Sequence, residues 1–232
     1  MEIGAATAEA FRLLASGDAG LWFIVWTSLM VAGLGLALAT APAIGAAYLI
    51  ATHDFPGRRA LVVAAQAFLS FPTVLVGLIL YLLLTRQGPL GSLSLLFTPA
   101  GMVMGQAVIG FPVVLAFSLA TLQSADTRLR ETALVLGAGR WRIFITVLRE
   151  MRFGLMAAVV AGFGRVIAEV GSALMIGGNI EGSTRTITTA IALETSKGEF
   201  AQGIALGIVL VALALLVNVM LAWLQGAGGF RR

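Results

Sequence analysis

Cysteine is absent from this 232-residue chain, histidine occurs once, at His53, and lysine once, at Lys197. Without thiols there are no disulfides, no thiolate chemistry and no zinc–thiolate sites, and one imidazole is too little for a histidine metal cluster. A phosphate-binding Gly-x4-Gly-Lys-Ser/Thr loop needs a lysine, and the one present stands in Ser196-Lys197-Gly198. Any nucleotide-driven motor must therefore be another chain. Charge is scarce too, at 11% of residues against about 25% in soluble domains. No nucleophile–base pair or metal-ligand cluster stands out, so no catalytic residue, metal or other cofactor is expected in this chain.

What the chain does have is apolar surface: 59% of residues are hydrophobic and the mean hydropathy is +0.99. A soluble core of this size has no use for so much, so the surplus must face lipid. The net charge of +4 comes from fourteen arginines and one lysine set against eleven acids. These arginines sit in the gaps between apolar runs, which is how membrane topology is written rather than how nucleic acid is bound.

Five stretches can cross a hydrocarbon core that takes about 20 helical residues: Leu21–Ile50, Ala60–Leu84, Ala100–Leu122, Phe153–Ile176 and Ala201–Leu224. The first contains a small-x-small triplet, Ala39-Thr40-Ala41. Its apolar run is longer than a signal-peptide core and no basic segment leads into it, so it is read as a retained span. Pro42 within it predicts a tilt or a kink. The second and third spans share an echo, Phe71-Pro72-Thr73-Val74-Leu75 and Phe111-Pro112-Val113-Val114-Leu115. This fits a weak internal repeat, or two proline-kinked helices flanking a pathway, where freed carbonyls meet a cavity.

Loop 51–59, loop 123–152 and the end of the chain carry ten arginines, among them Arg231 and Arg232. The opposite connections carry Arg12, Arg86, Arg185 and Lys197 with six acids. Positive residues stay cytoplasmic. The expected fold is therefore an all-α integral membrane protein with about five transmembrane helices, N-terminus outside and C-terminus inside. Residues 1–20 form an outer segment, either a surface helix with Ile3, Phe11 and Leu14 on one face or a frayed end. Residues 21–225 form one transmembrane domain, and 226–232 a cytoplasmic tail.

The loop between the third and fourth spans is the informative one. Asp126 can cap a helix, residues 129–136 mix apolar and charged positions at helical spacing, Gly137 and Gly139 break the run, and Trp141–Leu148 is a second amphipathic segment. Two short helices joined by a glycine turn and exposing Leu136, Ala138 and Trp141 would make a docking surface, since aromatic and Arg anchors favour contact centres. A plain interfacial loop touching headgroups has the same composition.

Here the residues resemble a known pattern. Glu131-Thr132-Ala133, then Gly137-Ala138, Arg140-Trp141, Phe144 and Val147-Leu148 are similar to the EAA loop of permease subunits of binding-protein-dependent ABC importers. Thr132 replaces a usual Ala, and Arg149-Glu150 stands where that family often has Leu-Pro. The resemblance runs from Leu21 to Trp223 and includes Phe71-Pro72-Thr73-Val74 and Gly88-Pro89-Leu90-Gly91. It implies a coupling-helix pair, with Glu131, Thr132, Ala133, Leu136, Gly137, Ala138, Arg140 and Trp141 docking on a separate ATP-binding subunit, which would bind the ATP–Mg.

Arg165 and Glu169 lie four residues apart on the fourth span. Each costs about 2.5–3.5 kcal/mol at a helix centre, so both are expected to face protein. They line a pathway, with Arg165 offering charge to an anion, or form a structural ion pair. Beyond them Ser183, Thr184, Arg185, Thr186, Thr188 and Thr189 cluster five hydroxyls and one guanidinium. Such donors suit an oxyanion or its carrier, and equally a helix capped by Ser183 or Thr184. Together with Val166-Ile167-Ala168-Glu169-Val170-Gly171, the stretch resembles the molybdate/tungstate permease group, most of all its tungstate branch.

The resemblance implies an oxyanion importer in the cytoplasmic (inner) membrane, tungstate before molybdate or sulfate. The expected complex is a second copy of this chain, two ATP-binding cassette subunits inside and an oxyanion-binding protein outside. A different class, an autonomous secondary anion transporter or channel, would leave the docking surface unfilled and has only Glu169 as a membrane carboxylate.

Overall fold

The computed structural model describes residues 3–229, and among these every regular element is helical. The helices are α1 (Ile3–Ser16), α2 (Ala19–Thr52), α3 (Arg58–Ala67), α4 (Thr73–Leu84), α5 (Pro99–Gln123), α6 (Thr127–Val135), α7 (Arg140–Glu150), α8 (Arg152–Ile167), α9 (Gly171–Gly177), α10 (Ile187–Lys197) and α11 (Phe200–Gly229). Arg231 and Arg232 lie outside the described residues.

Among the described residues three helices are long and apolar enough to cross a membrane: α2, α5 and α11 through Trp223. Two broken pairs raise the number to five if each is one span. The second expected span is sharply bent. Arg58–Ser70 and Thr73–Leu84 meet at 97°, so both halves cannot follow one membrane normal. The cause is local. Pro72 has no N–H to give, and Phe71 before it is driven to extended backbone, at φ −70° and ψ 136°. The fourth expected span also breaks, between Ile167 and Gly171, with a 65° bend and no proline in the break. By contrast α2 continues through Pro42 and α5 through Pro112.

α2 and α5 form the centre. Ala39, Ala43 and Ala47 recur once per turn on α2 and are all buried, and small residues let membrane helices approach closely. Asp18 starts α2 by accepting the Leu21 N–H at 2.7 Å. Arg58 closes its other end, with Nε donating to the Ile50 carbonyl at 2.7 Å. A guanidinium on terminal carbonyls also suits the helix dipole. α11 presents Val211, Leu215, Leu216, Val219 and Trp223 outward, a face that only lipid or another apolar surface can cover.

Residues 3–16 are helical and folded onto the domain. The packed face differs from the expected one: Ala6 and Ala10 are buried, Leu13 and Leu14 pack beside Leu21, Ile24, Ile187 and Leu206, and Phe11 points away, exposed. The side chain of Ile3 lies outside those described. At the other terminus α11 stays helical to Gly229, through most of the stretch expected as a tail.

The connections gather at two ends. At one, Arg58 and Glu131 border the same hollow and α7 packs on the ends of α2 and α5. At the other, α1 and α10 both pack on α11, and the Ile187 N–H donates to Ser28 Oγ at 2.7 Å.

Candidate functional site

Both Phe-Pro elements open onto one cavity of about 360 Å³. Its wall takes Leu61, Ala65 and Phe68 from α3 and its extension, Phe71 and Thr73 from the break, and Val108, Phe111 and Pro112 from α5. Pro112 cannot donate to the Val108 carbonyl as an ordinary helical residue would, and both residues border the cavity, where such irregularity is tolerated in a membrane protein. The lining is almost wholly apolar. Arg165 is its one charged residue among those described.

Arg165 Nη1 meets Glu169 Oε2 at 3.0 Å, the Arg side chain 37% exposed and the Glu 3%. Their setting differs from the expected uninterrupted helix face: α8 ends at Ile167 and Glu169 sits in the break. There it substitutes for missing helical bonds. Its Oε1 accepts the Ser172 N–H at 3.1 Å and its main-chain carbonyl accepts the Thr188 hydroxyl at 2.7 Å. Beyond the break, Gly77 of α4 lies so close to α9 that a Cβ there would stand 2.7 Å from Ser172 Cα. Glu169 and α9 thus connect, behind the cavity wall, two parts of it: Arg165 and α4.

The outer turn uses its hydroxyls internally. Thr184 Oγ1 donates to the Gly177 carbonyl and accepts the Ile180 N–H. The α10 cap is made by Thr186 with Thr189, a reciprocal capping box, so neither Ser183 nor Thr184 caps this helix. Thr184 and Thr188 are buried and Ser183 is half-buried. Arg185 pairs with exposed Glu181 at 3.4 Å, while its buried Nε has no protein partner. The structure therefore links Arg165, Glu169 and Thr188, but of the expected pathway residues Arg165 alone lines the cavity, and Glu169, Ser183, Thr184, Arg185 and Thr188 lie outside its lining.

At the opposite end, α6 begins with Asp126 accepting the Arg128 N–H at 2.9 Å. It ends in a paired closure: the Gly137 N–H bonds to the Leu134 carbonyl and the Ala138 N–H to the Ala133 carbonyl, both at 2.9 Å, with Gly137 at φ +74°. The turn lifts Val135 and Leu136 into the open, 87% and 79% exposed. Ala138, expected to be exposed, is half-buried and packs inward with Ala133. Thr132 borders a hollow between the two helices, Glu131 the hollow shared with Arg58, and Arg140 is exposed. Exposed Trp141 stacks on Phe144 at 5.2 Å. Ile143 and Val147 bury themselves against α2 and α5. The pair thus has a free apolar crest and a fixed base. Arg149-Glu150 simply ends α7, and after Met151 the chain enters α8.

Sequence reasoning missed Thr73 as a cavity residue and Ser172 as the partner of Glu169. The identity of Phe71-Pro72-Thr73-Val74 and Phe111-Pro112-Val113-Val114 outside one position was the available signal for a shared wall.

Residues 43–227 match the family described as "Binding-protein-dependent transport system inner membrane component". The chain is 40% identical over 216 residues to a "Probable anion ABC transporter permease protein" of Haloferax volcanii, covering 90% of this chain and 93% of the relative. It is 35% identical to the tungstate uptake system permease protein TupB of Peptoclostridium acidaminophilum, covering 94% and 97%. Identity to the molybdenum transport system permease protein ModB of Escherichia coli is 32%, covering 88% and 93%.

Proposed function

The chain belongs to the family of binding-protein-dependent transport system inner membrane components, multi-pass membrane proteins, and on that premise we propose that it is the permease of an ATP-driven tungstate importer. Two copies would enclose the path, two ATP-binding subunits would dock inside, and an oxyanion-binding protein would deliver the anion outside. ATP and its Mg²⁺ would belong to the docked subunits.

The observation that carries this reading is the crest of α6 and α7. Val135, Leu136 and Trp141 stand exposed at the arginine-rich end, on a pair whose base, Ile143 and Val147, is buried in a core cluster shared with α2 and α5. Exposed apolar side chains on a rigid base suit a groove on a partner, and movement of that partner would pass directly to two central helices. With this end inside, the N-terminus lies outside. Trp22, Phe23 and Trp26, exposed at the start of α2, then fit the outer aromatic belt. Residues 1–20 act as an outer brace, 21–225 as the permease domain and 226–232 as an inner tail.

Tungstate is favoured over molybdate or sulfate by the relatives' identities, 35% for TupB and 32% for ModB. Selection among these anions is placed in the binding protein, because a path that must open and close is a poor rigid pocket. Ion-gradient-driven transport has less support, since it leaves the crest without an occupant.

Co-purification tests the docking. The tagged chain should bring an ATP-hydrolysing subunit with it, and Leu136→Asp should release that subunit while leaving the exposed crest folded. Uptake into vesicles by the chain with no ATPase subunit present would overturn the proposal.

A further inference from the structure

Resting on that reading, we propose that Glu169 attenuates the anion path: it holds Arg165 at the cavity wall and weakens its grip on the passing anion. The cavity of about 360 Å³ has Arg165 as its one charged lining residue among those described, in a wall otherwise almost wholly apolar. An uncompensated guanidinium there would retain a doubly charged oxyanion, because apolar walls leave little to screen the attraction. Conduction requires binding strong enough for entry and weak enough for exit.

The geometry supplies the compensation. Of the five donors on the Arg165 fork, one nitrogen is engaged by Glu169 at 3.0 Å, and the half-open side chain keeps the rest available to the cavity. Glu169 itself is 97% buried, out of the anion's reach. It is also fixed from behind. Oε1 is held by the Ser172 N–H, its carbonyl by Thr188, and α9 is pressed against Gly77. A purely structural ion pair would gain nothing from leaving one partner open to a cavity. Here the carboxylate is buried and anchored, and the cation is offered to the path.

Equilibrium binding of labelled tungstate to the full chain in lipid nanodiscs tests this. Glu169→Gln removes the charge yet keeps an oxygen for the Ser172 N–H. It should tighten tungstate binding about tenfold or more, the change expected from about 1.4 kcal/mol, and slow ATP-driven uptake. Thr73→Lys adds an uncompensated cation to the same wall without touching the pair, and should tighten binding likewise. Arg165→Gln with Glu169→Gln should abolish the gain. If neither Glu169→Gln nor Thr73→Lys binds tungstate or sulfate more tightly than the wild type, the proposal fails. Should Glu169→Gln not fold, Thr73→Lys decides alone. Sulfate as a second probe separates this inference from the substrate assignment: tightening seen for sulfate but not tungstate upholds the role of Glu169 and refutes tungstate as the cargo.

Discussion

Tyr48 of α2 and Phe144 of α7 meet edge to face with ring centroids 4.8 Å apart, and Trp141 in turn stacks on Phe144. A force on the exposed crest therefore reaches a central membrane helix through two aromatic contacts. Each such pair contributes about 0.5–1.5 kcal/mol beyond its buried area. Phe144→Ala should lower uptake several-fold while the assembled complex still hydrolyses ATP. The ratio of anion imported to ATP hydrolysed measures this, and an unchanged ratio would remove Phe144 from the coupling route.

Gly137 gives a sharper version of the same test. A Cβ at this position meets nothing within 4 Å, so crowding is not the obstacle, but the backbone is left-handed at φ +74°. A residue other than Gly costs about 1–2 kcal/mol there, with Asn tolerated best. Gly137→Leu should abolish uptake while the chain still reaches the membrane, and Gly137→Asn should retain most of it. Equal uptake by all three proteins would exclude the turn from docking.

Thr188 ties the outer turn to the break at Glu169 through a buried hydroxyl donating at 2.7 Å. Thr188→Val leaves that carbonyl without its donor and should cost about 1–3 kcal/mol, seen as earlier thermal unfolding of the purified chain. Competition between tungstate and molybdate for uptake should keep its ranking, because this hydroxyl is already spent on the protein. A changed ranking would make Thr188 a substrate contact.

Features set by local interactions show in the sequence, and those set by distant contacts do not. The Asp126 cap, the Gly137 turn and the Arg165–Glu169 pair are short-range and were legible. The break at 168–170 was not, because hydropathy runs straight across it. What stabilises it is Thr188, 19 residues away, and a carboxylate that looks like a helix-face partner. Pro72 and Pro112 have almost the same neighbours, yet only the first breaks its helix. α5 is packed between α2 and α8, whereas Phe71 and Pro72 are exposed. Enclosure by other helices decides this, and one segment's sequence does not contain it. The hydroxyls of 184–189 suggested a ligand because Ser and Thr serve anions and helix caps alike. Only their partners show which use the protein makes of them.

Orientation can be tested apart from function. An alkaline-phosphatase reporter, active only outside the cytoplasm, should be active when fused after Ser183 and silent when fused after Arg140. The reverse pattern would overturn the assignment of the arginine-rich end to the inside.

The most direct test of the account is accumulation of labelled tungstate at nanomolar external concentration by cells lacking this chain. Tungstate uptake should disappear and return when the chain is supplied on a plasmid, with sulfate uptake continuing throughout. Undiminished tungstate accumulation in the deleted cells, or loss of sulfate uptake in its place, would contradict it.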